Sequence, residues 1–188
     1  MKILSYIRLK GSRLTRNGKE LAYDGSLGSL YKSACGNWPK FYKMDLQCKA
    51  GFLACELLLE GMEANENRSV IVFSRSGCIS DDLAYLESMK DFPSPALFVY
   101  TLPNIVTGEI CIRNGCKGES ASFLLPAFDE KEIAPHVQDC MMEMEGKEVI
   151  FGWIDCPCEE EADVLLMLAL ADGKELDQNR IKQLYDNG

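Results

Sequence analysis

The sequence predicts an α/β layer fold, a mixed sheet of about five strands flanked by helices. Three observations carry that prediction. Residues 69–74, Ser-Val-Ile-Val-Phe-Ser, form a short continuous apolar run of the kind found in strands covered on both faces. Runs of this type alternate along the chain with stretches whose apolar residues recur at helical spacing. A chain of 188 residues, 47% apolar and 26% charged, describes one ordinary globular unit spanning 1–188, able to bury a core without disulfides or a metal.

Each element follows from its residues. Residues 2–9 are rich in β-branched and aromatic side chains ahead of Gly11 and read as a strand. From 11 to 43 there is little period, several glycines and a Trp38-Pro39 pair, which reads as a long irregular segment. Beginning at Asp45, Leu46, Ala50, Leu53, Ala54, Leu57 and Leu58 mark one helix face, and Gly61 is a natural stop. After the strand at 69–74, Ser80 is expected to cap a helix whose first turn holds Asp81 and Asp82. The proline-marked residues 93–98 read as extended. Residues 101–115 lie between Pro103 and Gly115, the usual brackets of a helix, and 120–125 read as a strand. An interior proline costs about 3 kcal/mol, so Pro135 is expected in the first turn of a helix reaching about Glu145, with Val137, Cys140, Met141 and Met144 as its apolar stripe. Residues 148–154 read as a strand, whereas the period of 163–170 fits either helix or strand. Asp172-Gly173 turns the chain into a C-terminal helix within 172–188, marked by Leu176, Ile181, Leu184 and Tyr185.

Composition narrows the function. A net charge of -9 argues against nucleic-acid binding, which needs a basic footprint. The first fifty residues hold 10 Lys and Arg against 3 Asp and Glu, either a docking surface for an acidic partner such as a carrier protein or, preferably, a solvated face. Ser5, Arg8 and Lys10 interrupt the opening apolar residues, so neither a signal peptide nor a membrane span is expected, and nine cysteines, an odd number, fit a reduced cytoplasmic protein.

One histidine, His136, is present, so Ser-His-Asp or Cys-His catalysis must run through it or be absent. The plainer reading is a residue near a helix N-terminus with no partner role. His136 and Cys140 share a helix face at i, i+4, and Cys156-Pro157-Cys158 adds two more soft ligands, so zinc is conceivable for this foursome. The spacing matches no zinc ribbon or finger, and ordinary thiols are the simpler reading; Cys48, Cys55 and Cys111 read as small apolar helix residues. Met141, Met142 and Met144 fit an apolar groove or, more simply, core filler. No glycine-rich phosphate loop occurs, and no cofactor is expected.

Residues 93–118 carry a resemblance. Thr101, Pro103, Asn104, Gly108, Ile110, Ile112, Gly115, Lys117 and Gly118, with the Pro-Ser-Pro-Ala-Leu-Phe-Val-Tyr that precedes them, look like the β-ketoacyl synthases of the thiolase superfamily. A Lys43-Met44-Asp45 helix entry, the strand at Val70 and those at 149–154 and 164–170 fall in the same order as in that family. The resemblance covers about 40–171 and is weak over 1–39.

It implies a thiolase-like half-unit, an N-terminal-like synthase domain. In such synthases the nucleophilic cysteine stands at an elbow about nine residues past the glycine matched by Gly118, which falls near Ala127. Alanine cannot accept an acyl group, and the family's partner residues come from a second half that this chain lacks. Family halves stack into a five-layer sandwich, and subunits pair through the strand preceding the cysteine. A lone half should therefore leave apolar surface uncovered, unless an altered loop and helix cover it. The resemblance implies a homodimer or a heteromer with a full-length ketoacyl synthase, with acyl-carrier protein as a further candidate partner. The leading expectation is a non-catalytic partner, scaffold or chain-length subunit in fatty-acid or polyene/polyketide assembly. An acyltransferase working through Cys116 or Cys156 and a small zinc module are the alternatives.

Overall fold

The computed structural model describes residues 1–141 and 146–187. The chain opens with β1 (Lys2–Lys10), β2 (Arg13–Arg16) and β3 (Lys19–Glu20), then α1 (Leu27–Ala34), a 3-10 turn (Pro39–Lys43) and α2 (Leu46–Leu59). β4 (Ser69–Ser74) leads through α3 (Ile79–Ser88), α4 (Pro95–Val99) and α5 (Ile105–Asn114) to β5 (Ser120–Leu124). α6 (Glu130–Cys140), β6 (Glu148–Asp155), β7 (Asp163–Leu170) and α7 (Gln178–Asn187) complete it. One sheet runs in the order β3-β2-β1-β7-β6-β4-β5, with β6, β4 and β5 parallel and the rest antiparallel.

The class is the one the sequence predicts, with seven strands in place of about five. The extra two come from the segment read as irregular, where Asn17 (φ 52°) and Gly18 (φ 77°) make a tight left-handed turn between β2 and β3. That segment also contains α1, capped by Ser26, whose side chain accepts from Ser29 N. Residues 163–170 are a strand because both their faces are covered. Val164, Leu166 and Leu168 face α1, α2 and α5, while Leu165, Met167 and Ala169 face α6 and α7. Two apolar layers thus sandwich the sheet.

Several local expectations are corrected. α3 starts at Ile79 behind Cys78 rather than after Ser80. Residues 95–99 are helical, because Ser94 accepts a hydrogen bond from Leu97 N and Pro95 fits a first turn. Asp129 caps α6 by accepting from Lys131 N, which puts Pro135 inside the helix rather than in its first turn. Burial of Ile133, Ala134 and Val137 on the sheet offsets the missing amide. α6 ends at Cys140; Met142, Met144 and Glu145 lie outside the described residues.

The second sheet face is not left bare. α7 lays Ile181 and Leu184 beside α6, with Leu176 just ahead of it, so this helix covers apolar surface that a lone half would expose. Arg8, 2% exposed, fastens it: its guanidinium donates to Tyr185 O at 2.9 Å and to Asp163 at 2.6 Å.

Candidate functional site

In open α/β sheets, ligands and catalytic groups collect beyond the carboxyl ends of the parallel strands. Here those ends belong to β4, β5 and β6. Asp155, the last residue of β6, is buried and accepts from Ser74 Oγ (3.1 Å), Arg75 N (3.2 Å), Ser76 N (2.8 Å) and Ser76 Oγ (2.6 Å). Burial alone would raise its carboxyl, but these hydrogen bonds and the Arg75 charge outweigh it and hold the group below the usual range. Gly77 N donates to Ser74 Oγ at 2.9 Å, completing a clamped turn after β4. Asp45 caps α2 through Cys48 N at 3.0 Å; burial pushes its carboxyl up to about 6, and Asp81 adds to the rise.

The elbow after β5 occupies 125–129. Ala127 is exposed there and offers no nucleophile. The next residue, Phe128, stacks on Tyr185 of α7 at 3.6 Å between ring centroids and meets Trp153 edge-on at 6.0 Å. Arg8 lies over the other side of this cluster, 4.5 Å from the Tyr185 ring, and the Tyr185 hydroxyl donates to Asp163. An aromatic plug therefore occupies the surroundings of the elbow. His136 lies on the same side of the sheet, in the middle of α6, with its ring stacked 4.5 Å from Phe123. It is a packing residue.

The two alternative thiols lie at opposite ends of the sheet. Cys116 precedes β5 and Ala127 follows it, so a five-residue strand, about 17 Å long, separates them. The neighbouring Cys111 thiol holds the Cys116 thiol down to about 7 against burial, with the Arg68 charge assisting. Cys156 follows Asp155 at the elbow end, but burial and the neighbouring Glu159, Cys158 and Asp155 push it up to about 12, leaving it a neutral thiol. Cys140 ends α6 close to Glu119, at the amino ends of the parallel strands, whereas Cys156 and Cys158 lie at their carboxyl ends. The four proposed zinc ligands are therefore not brought together, and among the described residues no group of three or more His, Cys, Asp or Glu could hold a metal ion.

The clearest surface feature is an apolar arm. α3 and α4 contain no buried residue and pack on one another through Tyr85 and Phe98, whose rings are 5.4 Å apart. Leu83, Leu86, Met89, Phe98, Val99 and Leu102 are all about half exposed, and Phe92 is 89% exposed. Leu124, at the end of the edge strand β5, is 58% exposed. By contrast the basic opening segment is partly neutralised, through Arg8–Asp163, Arg13–Glu20, Arg16–Glu60 and Lys40–Glu109 pairs. No described helix is long and apolar enough to cross a membrane.

Neither the arm nor the Asp155 clamp was legible in the sequence. The arm's residues sit in a proline-marked stretch without period, and the partners of Asp155 lie about eighty residues away in the chain. Gly115 and Gly118 were visible, and the structure supplies their reasons: Gly115 closes α5 with φ 65°, and a Cβ on Gly118 would stand 2.7 Å from Arg68 O.

No family model and no curated protein matches the chain. Solved structures do. One is a chain of the ketosynthase ApeO in complex with its chain length factor ApeC from Xenorhabdus doucetiae, with a TM-score of 0.59 at 11% identity over 92% of this chain and 80% of that one. Another is the ishigamide ketosynthase/chain length factor, with a TM-score of 0.66 at 13% identity over 89% of this chain and 61% of that one. The chain thus has the thiolase-like fold of ketosynthases and chain length factors, in the α/β class expected.

Proposed function

We propose that this chain is a non-catalytic partner of a ketosynthase, of the chain-length-factor kind, in the assembly of polyketide- or fatty-acid-type chains. The observation that carries the reading is the elbow after β5, which holds Ala127 where a condensing enzyme needs a thiol and is packed around by Phe128, Trp153 and Tyr185. A fold kept without its nucleophile points to a role in binding. The edge strand β5, with its exposed Leu124, and the apolar α3–α4 arm are the surfaces through which the ketosynthase would dock. Two full structures of such fold are described as ketosynthases with chain length factors, which supports a heteromer over a homodimer. Acyl-carrier protein is then met by the complex and not by this chain alone.

The test is co-expression with ketosynthases of the same source, followed by size exclusion with light scattering. A stoichiometric heteromer that is lost in Leu86→Glu and Phe92→Glu, both folded alone because both sites are exposed, supports the reading. A chain that stays monomeric or forms only homodimers with every ketosynthase tried overturns it.

A second reading, an acyltransferase working through Cys116, draws on that thiol's lowered proton affinity. Its distance from the elbow and its 8% exposure weigh against it. Incubation with malonyl and longer acyl thioesters of coenzyme A and carrier protein, read by intact mass, decides: an adduct on Cys116 makes the chain an enzyme.

A further inference from the structure

The end of the molecule remote from the elbow holds a thiol cluster that a docking role leaves unused. α5 closes at the left-handed Gly115, and Cys116 N then turns back to donate to Cys111 O at 3.0 Å. This is the Schellman ending, which brings the residue after the glycine against the side chain one turn back. Both residues are cysteines. The backbone bond limits their Cα atoms to a separation of about 7 Å, the outer reach of a disulfide. The two thiols are close enough for each to shift the other's proton affinity. Cys55 of α2 lies beneath the pair and accepts from Asn114 Nδ2 at 3.7 Å. Arg68, 3% exposed and joined to Glu148 at 2.6 Å, adds positive charge on the Cys116 side.

We propose that Cys116 is a peroxide-reactive thiol and that Cys111 resolves its oxidised form to an intramolecular disulfide. In the first step the Cys116 thiolate attacks one oxygen of hydrogen peroxide. A sulfur–oxygen bond forms, the oxygen–oxygen bond breaks, and the departing hydroxide takes a proton to leave as water. In the second step the Cys111 sulfur, giving up its proton, attacks the sulfur of the Cys116 sulfenic acid. The sulfur–sulfur bond forms, the sulfur–oxygen bond breaks and a second water leaves. Two thiols lose two electrons and one peroxide gains them.

Three features suit the site to this chemistry. The neighbouring Cys111 and the Arg68 charge lower the proton affinity of Cys116, while burial pushes Cys78 and Cys156 up to about 12. Cys111 is half-buried, so a small oxidant reaches the pair from the α5 surface. The resolving thiol is already nearby, because the helix ending holds residue 116 against the backbone of residue 111.

The experiment uses the full chain, reduced, treated with a small excess of hydrogen peroxide and then alkylated. Trypsin cuts after Arg113 and after Lys117, so the two cysteines fall in separate peptides, 91–113 and 114–117, joined by any disulfide between them. The expected result is that this linked pair appears at least roughly tenfold faster than oxidation of any other cysteine, with loss of two hydrogens in intact mass and reversal by dithiothreitol. Cys111→Ser is expected to stop at a sulfenic acid on Cys116, captured by dimedone. Linkage of Cys116 to Cys55, prior oxidation of another cysteine, or an unreacted Cys116 would each overturn the proposal. The wild-type map stands by itself if a variant does not fold.

Discussion

Asp45→Asn is the sharpest probe of how the carboxyl end of the sheet is built. Asp45 is 3% exposed, and burial, with Asp81 nearby, lifts its carboxyl from 3.8 to about 6 even though it caps α2. The folded value lies above the unfolded one, so the folded chain binds more protons between about pH 4 and 6. Its stability consequently falls as pH rises through that window. At 1.36 kcal/mol per pH unit, the buried charge costs the native state about 3 kcal/mol above pH 6. Asparagine keeps the cap, because its side-chain oxygen also accepts from the Cys48 amide, and it carries no charge. The variant should exceed wild type by about 3 kcal/mol at pH 7.5, shrinking to about 1 kcal/mol at pH 4.5. Urea unfolding of both proteins at the two pH values measures it, and the difference removes every other titrating group common to both. In thermal scans the gain at pH 7.5 corresponds to roughly 6–12 °C. A gain that is the same at both pH values, or no gain at pH 7.5, would refute the assignment of a buried, penalised carboxylate at this cap.

Further outcomes follow from the packing. Gly152→Ala places a Cβ 1.9 Å from Leu165 O, a backbone atom that cannot move away, so the β6–β7 ladder must open at a cost of at least about 3 kcal/mol, seen as a lowered urea midpoint. Arg8→Ala removes a buried guanidinium from Asp163 and from Tyr185 O; a loss of about 3–5 kcal/mol is expected, with amide exchange faster in α7 than in α2. Deleting 172–188 uncovers the sheet face under Ile181 and Leu184 and the Phe128–Trp153 pair, and the shortened chain should bind a dye such as ANS or precipitate; a soluble monomer without dye binding would show that α7 is not the cover.

Much of the fold was legible because it rests on short-range patterns. The all-apolar run at Ser69–Ser74 identified a strand buried on both sides, and the helical spacing of Leu46 to Leu58 identified α2. Local rules failed where tertiary contacts overrode them. Pro135 sits inside α6 because burial of Ile133 and Val137 outweighs one lost amide bond, and the β2–β3 hairpin and α1 hide in a segment with too little period to declare itself. For the site, the alanine at position 127 could be read directly, since residue identity needs no coordinates.

By itself the sequence determined the α/β class, the four strands at 2–9, 69–74, 120–125 and 148–154, the acidic balance of the chain and the alanine at position 127. All four are properties of residue identity and near-neighbour spacing, which the chain carries whether folded or not. Only the tertiary structure decided that α7 closes the second sheet face, that Tyr185 stacks on Phe128 across 57 residues of chain, that Asp155 clamps the turn after β4, and that the end of α5 brings Cys116 back against Cys111. Those depend on which distant groups meet and on how much water the meeting excludes. No pattern within one segment records either.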